Sequence, residues 1–331
     1  MTVEQAKISP PPRLIAVLLA GFETVASHLG LILFPVLLDV WLWLGPHLRM
    51  ERLISGTLSE ISPLLQSSIE ETPPEVWEAV QEMWQTLAGR VNLFSSLRTL
   101  PVGVPSLMAG RLPVETPWGT PPGVELTHWL GVVVSWGTLT VTGILLGSLY
   151  FLLTAGATAE EPWSGRTLFN RWLHAGAQTI LLSVLWIVVI GLSMFPLSIL
   201  ATLTLSASGV GLFFLFLVGG ALLWILIPLL FAPHGIFVYR LSVFQSIRSG
   251  FSLARMTMPT TSTFFLAVFI ISRGLDLLWS VPAETSWLTL VGIFGHAFIA
   301  TSLLAASFVY YREAGRWVEQ VLEHMRQARI A

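Results

Sequence analysis

RLSVFQSIRSGFSLARMTMPTTSTFFLAVFIISRGLDLLWSVP, residues 240–282, decides how the rest of the chain is read. Its first half is basic and amphipathic. At 100° per residue Ser242, Gln245, Ser246, Ser249 and Ser252 gather on one face, and Phe244, Ile247 and Phe251 gather on the other. Arg240, Arg248 and Arg255 border the apolar face, where their stems can lie in a bilayer while the guanidinium groups reach lipid phosphates. The second half is an apolar span that carries its own Arg273 and Asp276. The pattern is an interfacial elbow feeding a transmembrane helix.

The composition agrees with a membrane protein. Of 331 residues 54% are hydrophobic and 11% charged, against roughly a quarter charged in soluble domains, and the mean hydropathy is +0.75. A net charge of −2 implies no polyanion partner, and no nucleic-acid footprint is present. With no cysteine, disulfides, thiolate metal sites and thiol catalysis are excluded. Residues 1–13, with one acid, one lysine and a Pro run, make a poor signal peptide.

Working outward, residues 14–44 are apolar for 31 positions. As one straight helix they would run about 46 Å, longer than the ~30 Å hydrocarbon core needs. Glu23, Thr24, Ser27 and His28 fall midway, so the run reads as an interfacial segment over 13–27 and a first crossing over 28–45. Pro35 is expected to kink that crossing, and Trp41 and Trp43 to mark its far interface. Residues 46–124 are the long polar section. Thr72, Pro73, Pro74 and Glu75 form a helix start. From there Val76, Trp77, Val80, Met83, Trp84, Leu87, Val91 and Phe94 recur at helical spacing and predict an amphipathic helix to about Leu97, with a weaker pattern over 48–69. Residues 100–123, LPVGVPSLMAGRLPVETPWGTPPG, are loop by their Pro and Gly content. The section is expected to lie on the membrane as a lid. Further crossings are expected over 127–155, 172–196, 208–231, 260–281 and 286–311, with a hairpin break at Pro196 and Ser206–Gly209.

The fold class is therefore all-α, a polytopic bundle of six transmembrane helices with amphipathic elbows and a partly helical extracytoplasmic section. Its parts are 1–45, the N-terminal segment and first crossing; 46–124, the extracytoplasmic section; 125–311, the remaining five helices; and 312–331, a cytoplasmic tail. Orientation follows from the basic residues. Lys7, Arg13, Arg166, Arg171, Arg240, Arg248, Arg255, Arg312, Arg316, Arg326 and Arg329 fall on one side. Arg49, Arg52, Arg90, Arg98 and Arg111 fall in 46–124, offset by acids. The positive-inside rule places both termini in the cytoplasm of a cell with this as an inner-membrane protein.

Several constellations carry possible chemistry. Arg240, Arg248 and Arg255 are a lipid-headgroup or partner site, or else topology determinants. Asp39, Arg273 and Asp276 are charges at similar depth and are expected to form one buried cluster, either a polar ligand or proton site or an ion pair fixing the bundle. His47 with Glu51, and Glu125 with His128, are metal ligands if their helices meet, and solvated interfacial residues otherwise. His296, flanked by Gly292 and Gly295, is expected to be hydrogen-bonded within the bundle. Gly143 and Gly147 permit close helix contact, within the chain or with a second subunit. HExxH, GxSxG, P-loop and dinucleotide motifs are missing, so no cofactor and no catalytic residue is assigned.

SIRSGFSLARMTMPTTSTFFLAVFII (246–271) and FVYYREAGRWVEQ (308–320) resemble the elbow-plus-helix and tyrosine-rich exit of uncharacterised bacterial multi-pass families. Among these is the membrane domain found beside some glycerophosphoryl diester phosphodiesterases. The phosphodiesterase domain itself is not in this chain, and 46–124 departs from the family's short loops. The resemblance implies a six-helix membrane body without hydrolase activity. The expected function is an accessory, scaffolding or lipid-contacting membrane component, with small-solute or lipid transport through the buried charges as the alternative.

Overall fold

The computed structural model describes residues 10–68, 74–159, 165–205 and 209–330. Lys7, the Thr72–Pro73 cap and the Ser206–Ser208 turn lie outside the described residues. Within them the chain is helical, apart from one short ladder and one long irregular segment.

The N-terminal apolar run divides as its polar middle predicts. Helix α1 (Leu14–Ser27) ends at His28, and a 3-10 turn (Leu29–Ile32) with α2 (Leu33–Leu44) makes a helical stretch, Leu29–Leu44, at 90° to α1. Pro35 falls in the first turn of α2, where its missing N–H has no helical partner to lose. It starts the helix and does not kink it. Helix α1 is closely packed. Val17, Gly21 and Val25 are buried, and a side chain on Gly21 would collide with the Ser302 backbone and Ala306. Helix α1 therefore lies along α11 (Thr289–Ile330), the 42-residue spine of the fold. The approach is possible because α11 presents small residues, Ser302, Ala305, Ala306 and Ala314, all fully buried. Between membrane helices van der Waals packing of this kind replaces the hydrophobic drive.

Two three-residue strands interrupt the all-α expectation. β1 (His47–Arg49) pairs in parallel with β2 (Gly123–Glu125), His47 opposite Gly123 and Arg49 opposite Glu125. A parallel pair requires a crossover, and the whole polar section is that crossover. The ladder closes it within a residue or two of the boundaries read from composition. Between the strands come α3 (Glu51–Ser68), α4 (Pro74–Arg90), a 3-10 turn (Leu93–Leu97) and α5 (Met108–Arg111).

Helix α6 (Trp129–Ala157) follows, then α7 (Gly165–Leu205) and α8 (Gly209–Leu230) as the expected hairpin. Pro196 is accommodated inside α7, which continues to Leu205. Helix α9 (Ala232–Tyr239) leads to α10 (Val243–Trp279), which joins elbow and span in one element. The joint is a kink with non-helical dihedrals at Thr257, two residues before Pro259. A proline ring inside a helix excludes the carbonyl four residues earlier and removes one bond of the ladder, which places the bend there.

Among the described residues four helices are long and apolar enough to cross a membrane, namely α6, α7, α10 and α11. The bent pair formed by α1 and α2 makes a fifth candidate. This is the architecture of a helical membrane protein. The expected charged tail after 311 is a continuation of α11, which at 1.5 Å per residue is about 63 Å long.

Candidate functional site

The irregular segment from Asn92 to Arg111 is set inside the bundle, not on its surface. Asn92 starts it by accepting the Phe94 N–H at 3.2 Å and the Leu48 N–H at 3.1 Å, which ties the segment to β1. The chain then runs down the side of α6. Gly143 faces the Leu97 carbonyl, and a Cβ on Gly147 would come within 2.6 Å of the Gly103 Cα. Gly147 lies eighteen residues into α6, about 27 Å from its start. Val102 and Val104 are buried in one core with Tyr150, Phe151 and Ala155. Irregular backbone at such depth is tolerated only where protein covers it. The two glycines of GILLG thus receive this chain's own loop.

Asp39 holds the return limb. Fully buried on α2, its carboxylate accepts from Ser106 Oγ at 2.5 Å, Leu107 N–H at 3.0 Å and Met108 N–H at 2.9 Å. Ser106 Oγ in turn accepts the Ala109 N–H at 3.0 Å. One buried carboxylate and one hydroxyl therefore satisfy the first donors of α5, the charge-assisted form of helix capping. The exit of the loop is tied to the α10–α11 connection. Arg111 Nη2 donates to the Pro282 carbonyl at 2.7 Å, and Val114 N–H donates to the Glu284 carboxylate at 2.8 Å.

The three charges expected to cluster are not brought together. Asp39 serves the loop. Asp276 pairs with His296, Nδ1 to Oδ1 at 2.8 Å. Arg273 is exposed, with its guanidinium 6.0 Å from the Phe269 ring centroid. Six residues from the end of α10, an arginine has the reach to carry its charge toward the interface. Asp39 does lie within electrostatic range of His296, and the buried Nε2 of His296 has no hydrogen-bond partner. The buried polar groups at this level are thus Asp39 and His296, with half-buried Asp276 pairing with the latter. The Gly-His pattern in the sequence signalled His296, but nothing local named its partners.

The metal reading fails on geometry. The ladder does bring residues 47–49 against 123–125, but Glu125 is used to accept the Arg52 N–H at 2.8 Å at the start of α3. Glu51 and His128 are exposed, whereas His47 is buried. Among the described residues no group of three or more His, Asp or Glu is placed to hold a metal. Burial, and then the charge of Arg49, hold the His47 imidazole below its ordinary pKa.

At the other end of the bundle, Ser242 and Gln245 form a capping box that starts α10. Of the serine face, Ser246 and Ser249 are turned inward, while Gln245 and Ser252 are exposed. Ser246 Oγ donates to the Ala232 carbonyl at 2.6 Å, and Ser249 Oγ lies 3.3 Å from the Tyr311 hydroxyl. The outward face carries Phe244, 70% exposed, and Phe251, 37% exposed, beside exposed Arg248 and Arg255. Arg240, also exposed, takes the left-handed conformation (φ 57°) that ends α9. Between α10 and α11 lies a cleft bounded by Tyr239, Arg248, Ser249, Ser252, Tyr311 and Glu319. An adjoining cleft is lined by Arg171, Arg312 and Arg316, and Arg312 donates to the Ala155 and Thr158 carbonyls that end α6. Tyr239, Tyr311 and Glu319 were not singled out in the sequence. The helical spacing of Arg312, Arg316, Glu319 and Glu323 is the signal that α11 continues through the presumed tail.

The chain matches no protein-family model, no curated protein and no solved structure.

Proposed function

We propose that this is a non-enzymatic, lipid-contacting membrane component of six crossings, α8 being the sixth. In this reading the termini and the α10 elbow face the cytoplasm and the β1–β2 ladder faces outside. The observation that carries it is the outward face of the elbow. Two phenylalanines and two arginines are presented together while Ser246 and Ser249 are spent on the bundle, which is the arrangement of a helix lying in a headgroup layer. The arginine distribution supports the orientation, and the resemblance of residues 246–271 to multi-pass membrane families points the same way. The test is a triple variant, Arg240→Gln, Arg248→Gln and Arg255→Gln, purified in nanodiscs and examined by native mass spectrometry. Fewer co-purified phospholipids at unchanged secondary structure are expected. Retention of the wild-type lipid complement would overturn the reading. A reporter fused after Ala331 that behaves as extracytoplasmic would overturn the orientation.

A second reading, solute transport, is favoured by one observation. An irregular loop set inside a membrane bundle beside buried Asp39 and His296 is the kind of element that lines solute pathways. Asp39→Asn, with uptake and folding measured separately, distinguishes it. Loss of folding without any change in uptake per folded molecule would remove it.

A further inference from the structure

The lipid-contacting reading leaves open which lipid, and the cleft between α10 and α11 addresses that. Its volume, about 420 Å³, falls within the range of small-molecule sites. Its two charged side chains come from different helices and have opposite sign, Arg248 on α10 and Glu319 on α11. Among the described residues neither is in an ion pair with the other or with a third group. Two unlike charges lining one largely apolar cleft are the complement of a ligand that carries both signs next to apolar chains.

The remaining walls fit the same kind of ligand. Ser249 and Tyr311 share a hydrogen bond, and Ser252 and Tyr239 add two further hydroxyls that can accept from an ammonium or donate to a phosphate. Leu253 and Val318 are buried apolar walls, and exposed Leu322 stands at the edge. Exposed Phe244 and Phe251 on the neighbouring face of α10 mark where acyl chains would lie. We infer that this cleft binds a zwitterionic phosphoethanolamine group of a phospholipid, its phosphate on Arg248 and its ammonium on Glu319. The inference rests on the lipid-contacting reading of the elbow. A guanidinium matches phosphate oxygens as a fork, and a primary ammonium offers three N–H donors to a carboxylate and its hydroxyl neighbours. A trimethylammonium group has no N–H to offer. A purely anionic head would place a second negative group against Glu319.

The experiment uses the full chain in detergent. Phosphatidylethanolamine, phosphatidylcholine and phosphatidylglycerol of identical chains are titrated, with soluble glycerophosphoethanolamine as a fourth probe. Native mass spectrometry and the thermal midpoint are the readouts. Wild type is expected to retain one phosphatidylethanolamine about tenfold more tightly than the other two lipids. Glu319→Gln should abolish the preference while leaving phospholipid binding, and Arg248→Gln should weaken all three. Both residues are solvent-exposed, so neither variant threatens the fold. Equal or stronger binding of phosphatidylglycerol by wild type, or an unchanged preference in Glu319→Gln, would overturn the assignment while the broader lipid reading stood. Stabilisation by the soluble probe equal to that by the lipid would overturn the lipid source. If no phospholipid of any kind is retained, the broader reading fails with it.

Discussion

Residues 51–90 and residues 92–111 belong to one polar section, yet they end up in opposite environments. The first becomes α3 and α4, two amphipathic helices joined chiefly to each other, with Trp77 and Gln81 both donating to Ser62 Oγ. Their remaining apolar face, including Leu64, Val76, Met83 and Trp84, is exposed. The second has almost no regular structure and is the better buried, with Val102 and Met108 essentially inaccessible. Composition separates the two in part, since residues 51–90 carry nine charged side chains and residues 92–111 carry two, but low charge alone does not bury irregular backbone. The difference is that the second has receptors elsewhere in the chain: glycine notches on α6 and the Asp39 carboxylate on α2. Backbone that satisfies itself can stand outside the bundle, whereas irregular backbone can enter it only if a partner accepts its polar groups.

Breaking the anchor should have the largest effect. Asp39→Ala leaves the Ser106 hydroxyl and two buried N–H groups without an acceptor, at ~1–3 kcal/mol each. We expect loss of monodisperse protein on size-exclusion chromatography and protease cleavage between 100 and 112. Asp39→Asn, which keeps one acceptor oxygen, should be intermediate.

Filling the notch comes next. Gly147→Val places a branched side chain where Gly103 backbone already sits, and overpacking of this kind costs ~1–3 kcal/mol. The chain has no cysteine, so one introduced at buried Val104 reports loop exposure directly. Thiol labelling should be slow in a background with Gly147 intact and fast with Gly147→Val. Equal rates would show that the loop is held without α6.

The ladder that closes the section supplies a weaker, pH-dependent test. His47 has its pKa held below 6.5 in the fold, so the unfolded state binds the proton first as pH falls. Its contribution is present above 6.5 and is lost as the pH drops from there toward the folded value. The thermal midpoint should fall on acidification through that window, and His47→Gln should flatten the dependence.

Changing the outer arm should matter least to stability. Trp84→Ala removes an exposed side chain and is expected to stay within ~0.5 kcal/mol of wild type. A drop as large as that for Gly147→Val would mean that α3 and α4 are not independent of the bundle.

The helices were legible from sequence because their signals are local. Apolar runs located α6, α7, α10 and α11, and the periodicity from Val76 located α4, although it continued to about Leu97 where the helix stops at Arg90 and gives way to a 3-10 turn. The composition boundary at 46 and 124 coincided with the ladder, since the chain must leave and re-enter the bundle where polarity changes. The buried cluster was only partly legible. Depth estimated along separate helices said which charges lay at one level, but not which way each faced, so Arg273 was grouped with Asp39 and His296 was left out.

What the sequence determined by itself is the class of molecule and its helices, because burial in lipid imposes length and apolarity residue by residue. Tertiary structure alone decided that a Pro- and Gly-rich loop lies inside the bundle, that GILLG faces that loop, and that Arg248 and Glu319 share a cleft. Each of these depends on a group dozens of residues away: Asp39 for Ser106, Gly147 for Gly103, Glu319 for Arg248. Such matches are a property of shape and of unsatisfied polar groups, and no window along the chain contains both partners.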